Sequence, residues 1–225
     1  MSFSLNFTEK GYGAPLVLLH GNGEDSGYFV NQFEHFSNEY RVIAVDTRGH
    51  GSSPRGNKPF TLETFAEDLL NLLDSLNIEK ANILGFSDGG NIAVIFALKY
   101  PERVISLVLN GANLFPSGLK NSFLIPVKAL YAVFGLAARF SRRAERRKEL
   151  LYLMAKQPNI RPEELKSIKC PVLVIAGTLD VIKEKHTKLI ASSLPDSRLC
   201  FLKGGHSIAK TNSVEFNREV EKFLG

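Results

Sequence analysis

Three residues far apart in the chain carry the chemistry of nucleophilic catalysis. Ser87 stands in Gly85-Phe86-Ser87-Asp88-Gly89-Gly90, which follows the apolar run ANIL and precedes NIAVIFALKY. G-x-S-x-G between a strand and a helix reads as a nucleophile elbow. The serine takes a strained backbone conformation there, and the glycines let neighbouring segments approach closely. The turn also sets Ser87 at a helix N-terminus, where partial positive charge favours a developing oxyanion. The plainer alternative is a glycine-rich turn with an incidental serine, and the strand and helix signals on either side tell against it.

A serine hydroxyl is a weak nucleophile until a base takes its proton. His206, in KGGHSIAK, lies in a loop between the last strand and a closing helix near 213–224. His35 and His186 fall on helical stretches, and His20 and His50 on glycine-rich turns where a structural hydrogen bond is the expected role. The base in turn needs a carboxylate to fix its tautomer and stabilise the imidazolium. Asp180 follows the run VLVIAG through a short turn, whereas the end of the preceding strand offers only Asn110 and Asn113. His20-Gly21-Asn22-Gly23 ends another strand. Its position suits the loop that supplies one oxyanion N–H, with the residue after the serine supplying the other. The candidate donors are the backbone amides of Asn22 and Asp88.

The elements that position these residues are an alternation of strands and helices. The strand candidates are Phe3–Thr8, Pro15–Leu19, Arg41–Asp46, Ala81–Phe86, Val104–Asn110, Pro171–Ala176 and Ser197–Lys203. Continuous apolar runs such as VISLVLN predict strands covered on both faces. Leu62, Phe65, Leu69, Leu72, Leu73 and Leu76 make a helical stripe, with Thr61 as its N-cap. The class is α/β, with a mainly parallel central sheet flanked by helices. The alternation stops after Asn110. Residues 113–167 read as two helices, near 120–138 and 142–156, and as a cap over the carboxyl edge where such sheets bind ligands. The organisation expected is a core of residues 1–112 and 168–225 with a helical cap insertion at 113–167.

Together the motifs HGNG, DTRGHGSS (Asp46–Ser53), GFSDGG, and Asp180 with GGH ending at His206 resemble the α/β-hydrolase fold superfamily. The likeness is nearest its serine esterase and C–C hydrolase group, and it covers essentially the whole length. The order Ser87, Asp180, His206 is the one this superfamily uses. The resemblance implies that Asp46, Arg48 and Gly49 shape a loop beside the oxyanion loop in structural roles. It also implies one more edge strand than the chain shows, and a longer cap.

Composition narrows the rest. The chain has 225 residues, 44% hydrophobic and 23% charged, which excludes a disordered or collagen-like polymer. Cys170 and Cys200 sit in apolar runs and are expected as reduced, buried thiols rather than a disulfide framework. The five histidines and two cysteines never fall at metal-ligand spacing, and no cofactor is expected. The opening MSFSLNFTEKG lacks the pattern of a signal peptide, so a cytoplasmic location is expected. No integral membrane segment is expected either.

The net charge of +5 is uneven. Residues 113–167 hold 11 Lys/Arg against 4 Asp/Glu, and the remainder 17 against 19. That concentration, without a broader basic surface, argues against nucleic-acid binding. Arg139, Arg142, Arg143, Arg146, Arg147 and Lys148 suggest attraction of an anionic substrate, weak contact with an anionic membrane surface, or a solvated helix face, and the last is preferred. The preceding stretch FLIPVKALYAVFGLAA is expected to roof an apolar acyl pocket. Asp88 points to a cationic substrate group or, preferred, to a helix cap. It resembles the SDGG variant of amino-acid ester hydrolases. The function expected is hydrolysis of small-molecule carboxylic esters through a Ser-His-Asp triad. The alternatives are C–C bond or lactone hydrolysis by the same triad and, least favoured, a non-catalytic receptor on this fold.

Overall fold

The computed structural model describes residues 3–225. Seven strands form one sheet: β1 (Phe7–Lys10), β2 (Ala14–Leu19), β3 (Tyr40–Val45), β4 (Ala81–Phe86), β5 (Val104–Asn110), β6 (Val172–Gly177) and β7 (Ser197–Leu202). Their spatial order is β1-β3-β2-β4-β5-β6-β7, with β1 antiparallel at one edge and every other pairing parallel. The helices are α1 (Val30–Phe36), α2 (Leu62–Ser75), α3 (Asp88–Lys99), α4 (Asn121–Ala137), α5 (Arg142–Lys156), α6 (Glu184–Ser193), α7 (Ile208–Thr211) and α8 (Ser213–Leu224).

Alternate residues of the strands feed two separate cores, as the two-residue period requires. Val17, Leu19, Ile43, Ile83, Leu107 and Val174 pack on one face, with Leu62, Phe65, Leu69 and Leu73 of α2 and Ile92 and Phe96 of α3. Leu16, Leu18, Val42, Leu84, Val108 and Leu173 pack on the other, with Phe36 of α1 and Phe216 and Val220 of α8. Coverage of both faces explains why the central strands read as unbroken apolar runs. Thr61 caps α2 as expected, its side chain accepting from the Thr64 amide.

Two expectations need correction. The first strand is Phe7–Lys10, not Phe3–Thr8. Phe3 and Leu5 are apolar for another reason. Leu5 packs into the first core, and the Phe3 ring lies 3.7 Å from the Arg48 guanidinium carbon. The pairing partner β3 reaches only residues 7–10. The cysteines are free but only half-buried. Cys200 lies on β7, an edge strand with less cover, while Cys170 precedes β6. Burial still pushes the Cys170 thiol up to about 11.

The loop after β3 is held by buried polar groups. Arg48 and Asp68 form an ion pair with both side chains 1% exposed, and Arg48 also donates to the Arg55 carbonyl. The Asp46 carboxylate accepts from the Ser26 and Ser52 amides and the Asn6 side chain. Burial alone would raise its pKa, but these hydrogen bonds outweigh that and hold the carboxyl below its usual range. Asp46 and Arg48 are thus structural, as the resemblance implied.

Candidate active site

The order in which strands are added reverses between β2 and β4; Asn22 and Ser87 leave the carboxyl ends of those two strands, and Asp180 and His206 leave the same ends of β6 and β7. The turn after β4 is the tightest. Ser87 has φ 52° and ψ −118°, a left-handed conformation unusual for a residue with a Cβ. The glycines around it are required by space. A Cβ on Gly85 would lie 2.3 Å from the Gly89 carbonyl oxygen, and one on Gly89 only 2.0 Å from that of Leu19. Backbone therefore packs on backbone, drawing the start of α3 against β2. The Ser87 amide donates to the Asn110 carbonyl (2.8 Å), which ties the turn to β5.

Ser87 Oγ and His206 Nε2 are 3.0 Å apart although 119 positions separate the residues. His206 Nδ1 lies 2.7 Å from Asp180 Oδ1, which also accepts from the Ile182 amide. Asp180 is 3% exposed, so its charge is shielded from water on the side away from the histidine. The Phe86 ring packs against the imidazole at 4.8 Å. The arrangement is a continuous path from hydroxyl to imidazole to carboxylate, the geometry of a base-activated nucleophile.

The other histidines stand apart from this path. His20 Nε2 accepts from the Thr47 amide and its Nδ1 meets the Gly21 carbonyl. His186 Nε2 accepts from the Leu114 amide. Burial pushes both rings down to about 4. His50 is buried beside Arg48 and Thr47, and its pKa is lowered by burial too. His35 is exposed on α1.

Asp88 does not cap the helix through its side chain. It is the first residue of α3, and its carboxylate accepts from the side-chain amides of Asn22 (2.9 Å) and Asn91 (3.1 Å). Asn91 is further joined to Asn113, and Asn22 also donates to the Leu150 carbonyl of α5. Burial raises the pKa of Asp88 against the pull of these hydrogen bonds and of His206. This network escaped sequence reasoning, because nothing in the spacing of Asn22, Asp88, Asn91 and Asn113 signals that they meet.

A cavity of about 160 Å³ opens onto Ser87 and His206. Leu119, Phe123, Met154, Val181 and Ile182 form its apolar side, and Asn22, Glu24, Asp88 and Asn113 its polar side. Glu24 was missed from sequence; burial raises its carboxyl pKa, and one of its oxygens has no hydrogen-bond partner among the described residues. Larger cavities of about 390 and 680 Å³ lie by Arg55 and Arg146 and by Phe3 and Asn57, and neither is lined by Ser87 or His206. Chemistry rather than volume singles out the smaller one. The expected apolar roof is mostly not a roof. Of the stretch FLIPVKALYAVFGLAA, only Phe123 lines this cavity, while Ile125, Leu130, Val133 and Leu136 face outward. Among the described residues, no helix is long and apolar enough to cross a membrane.

Comparison with known proteins agrees with this architecture. The chain is 29% identical to the human "Serine hydrolase BPHL", over 98% of this chain and 82% of that protein. It is 34% identical to the 2-hydroxymuconate semialdehyde hydrolase of Pseudomonas sp. (strain CF600), over 76% of this chain and 58% of that one. Among solved structures, a hydrolase from Pseudomonas aeruginosa PA01 superposes with a TM-score of 0.80 at 28% identity, covering 98% of this chain and 94% of that chain. The alpha/beta hydrolase fold model matches residues 14–155, more than half of the sequence, and the chain therefore belongs to that family.

Proposed function

We propose that the protein is a serine hydrolase of small carboxylic esters, working through Ser87, His206 and Asp180 and an acyl-enzyme intermediate. The observation that carries this reading is the unbroken path Ser87 Oγ–His206–Asp180, at 3.0 and 2.7 Å, on a backbone strained at the serine. Ser87 Oγ attacks the ester carbonyl carbon as His206 Nε2 takes its proton. The tetrahedral oxyanion is held by the Asn22 and Asp88 backbone amides, the latter in the first turn of α3 where amides lack intrahelical acceptors. Collapse breaks the bond to the alkoxy oxygen, and that oxygen receives the proton from His206 and leaves as the alcohol. Water then attacks the acyl carbon with His206 again as base, releasing the carboxylic acid and restoring Ser87. Asp180 orients the imidazole throughout and stabilises its charged form.

The cavity's size favours short acyl groups. Its charge favours neutral or cationic substrates over anionic ones. Glu24 and Asp88 border it, and among the described residues no lysine or arginine lines it. Residues 113–167 act in this reading as a cap on the core formed by 1–112 and 168–225, held by the Asn22–Leu150 hydrogen bond and by the Arg55–Glu149 pair.

The test is turnover of p-nitrophenyl esters from acetate to laurate by the wild type and Ser87→Ala. Acetate and butyrate are expected to lead, and Ser87→Ala to lower kcat/KM by at least about 10³-fold. Equal rates in the two proteins would overturn the mechanism. A second reading, cleavage of a C–C bond or a lactone by the same residues, is favoured by the name of the Pseudomonas relative and by a solved structure described as an N-acyl homoserine lactone degrading enzyme (26% identical, TM-score 0.78). A folded wild type that ignores simple esters but opens lactones or 1,3-dicarbonyl compounds would select it.

A further inference from the structure

We propose that the α4–α5 hairpin is a docking element for an anionic lipid bilayer. Two independent features of the hairpin meet in this reading, one apolar and one charged.

The apolar feature is the outward side of α4. Ile125, Val133 and Leu136 are 64%, 59% and 66% exposed, and Phe140, just past the helix end, is 89% exposed. At 100° per residue Ile125, Val133, Leu136 and the exposed Ala129 fall within about 80° of one another around the axis. On the helix the stripe runs from Ile125 to Leu136, about three turns and ~17 Å, and Phe140 extends it past the helix end. The inward side, with Leu124 and Val127, is buried. An uninterrupted exposed apolar stripe of this length is unusual for a surface facing only water and marks a contact face.

The charged feature borders it. Lys128 of α4 and Arg139 just past its end are exposed beside the stripe, and the exposed Arg142 and Arg143 follow Phe140 within three residues, while Arg147 stacks on Phe134 on the other side of α4. A second copy docked symmetrically on this face would bring the same basic groups against each other. A bilayer with anionic headgroups satisfies both features. The stripe enters the headgroup–acyl boundary while the arginines stay at the level of the phosphates. The hairpin lies on the membrane and does not span it, since α4 has only 17 residues and carries Lys128.

Docking there has a consequence for the site. Phe123 of α4 and Met154 of α5 line the Ser87 cavity, so a docked hairpin sets that cavity about one helix diameter, ~10 Å, from the lipid. The inference does not depend on which bond the protein hydrolyses.

The experiment is co-sedimentation of the full chain with phosphatidylcholine vesicles, with and without phosphatidylglycerol. The wild type is expected to bind the anionic vesicles and to release as salt rises. Two variants are compared, Val133→Glu with Leu136→Glu, and Lys128→Gln with Arg139→Gln, Arg142→Gln and Arg143→Gln. Each is expected to lower the partition coefficient by at least about tenfold. All six positions are exposed and outside the Ser87 cavity, and circular dichroism checks that the variants stay folded. Wild type left in the supernatant with anionic vesicles overturns the proposal. That includes the case where it forms a dimer that Val133→Glu with Leu136→Glu disperses, which would make the face a homodimer interface. Binding that survives unchanged in either variant overturns it as well.

Discussion

The turn at Ser87 and the α4–α5 hairpin are the two ends of a scale. Around Ser87, glycine backbones pack on carbonyl groups, and residues 88–97 of α3 are buried without exception. In α4, seventeen residues long, only Leu124 and Val127 are buried. The first region has one arrangement compatible with its neighbours, so its sequence is dictated position by position. The second is held at a few points, chiefly Asn22 to Leu150, Arg55 to Glu149 and Gln157 to Leu62 and Glu63, and its remaining surface is free to serve contact rather than folding. Tight packing fixes the geometry of Ser87, His206 and Asp180, and loose packing leaves a face of α4 uncovered.

Substitutions should separate the two regions by the size of their effect. Gly89→Ala puts a methyl group 2.0 Å from the Leu19 carbonyl, where only backbone is available to yield. It is expected to cost about 3 kcal/mol or more in urea unfolding and to abolish activity. Asp68→Ala leaves the Arg48 guanidinium buried without its carboxylate. A loss of about 3–5 kcal/mol is expected, with residual activity in whatever fraction stays folded.

Acid should act on the packed region next. His20 and His186 are held neutral, near 4 against an ordinary 6.5, by burial above all. Between those values the unfolded chain binds protons that the folded one refuses. Stability present above pH 6.5 is therefore lost as pH falls toward 4, by a few kcal/mol in total. Urea midpoints measured across that window check this, and His186→Gln should flatten the slope. At the bottom of the scale, Val133→Gln on the open face of α4 should change unfolding free energy by no more than about 0.5 kcal/mol. A larger loss there would mean that the hairpin is packed more like the turn than its exposure indicates.

How much could be read from sequence follows the same division. The strands β2 to β6 were legible within a residue because burial on both faces writes a continuous apolar run. Ser87 and Asp180 stand out in the sequence because each follows such a strand in a short loop, and His206 because it follows the last strand in a glycine-containing loop. Asp88 was misjudged. A first-turn carboxylate ordinarily serves its own helix, yet here Asn22 and Asn91 reach it first. Phe3–Thr8 was misplaced because apolar alternation reports burial and not the partner that supplies the ladder. The apolar stretch of α4 suggests an inward role by the same logic, yet Ile125, Val133 and Leu136 face outward. Composition marks a face as apolar, but only the packing of α5 and the body decides which way that face turns.

The sequence by itself determined the strand–helix alternation, the strained serine turn and the distribution of charge, since each depends on neighbours within a few residues. The tertiary structure alone decided that Ser87, His206 and Asp180 meet, that Asp88 is buried among asparagines, and that α4 shows its apolar side to the outside. Those facts depend on long-range pairing of strands and on which surfaces the chain has left to cover, and no local pattern of residues contains them.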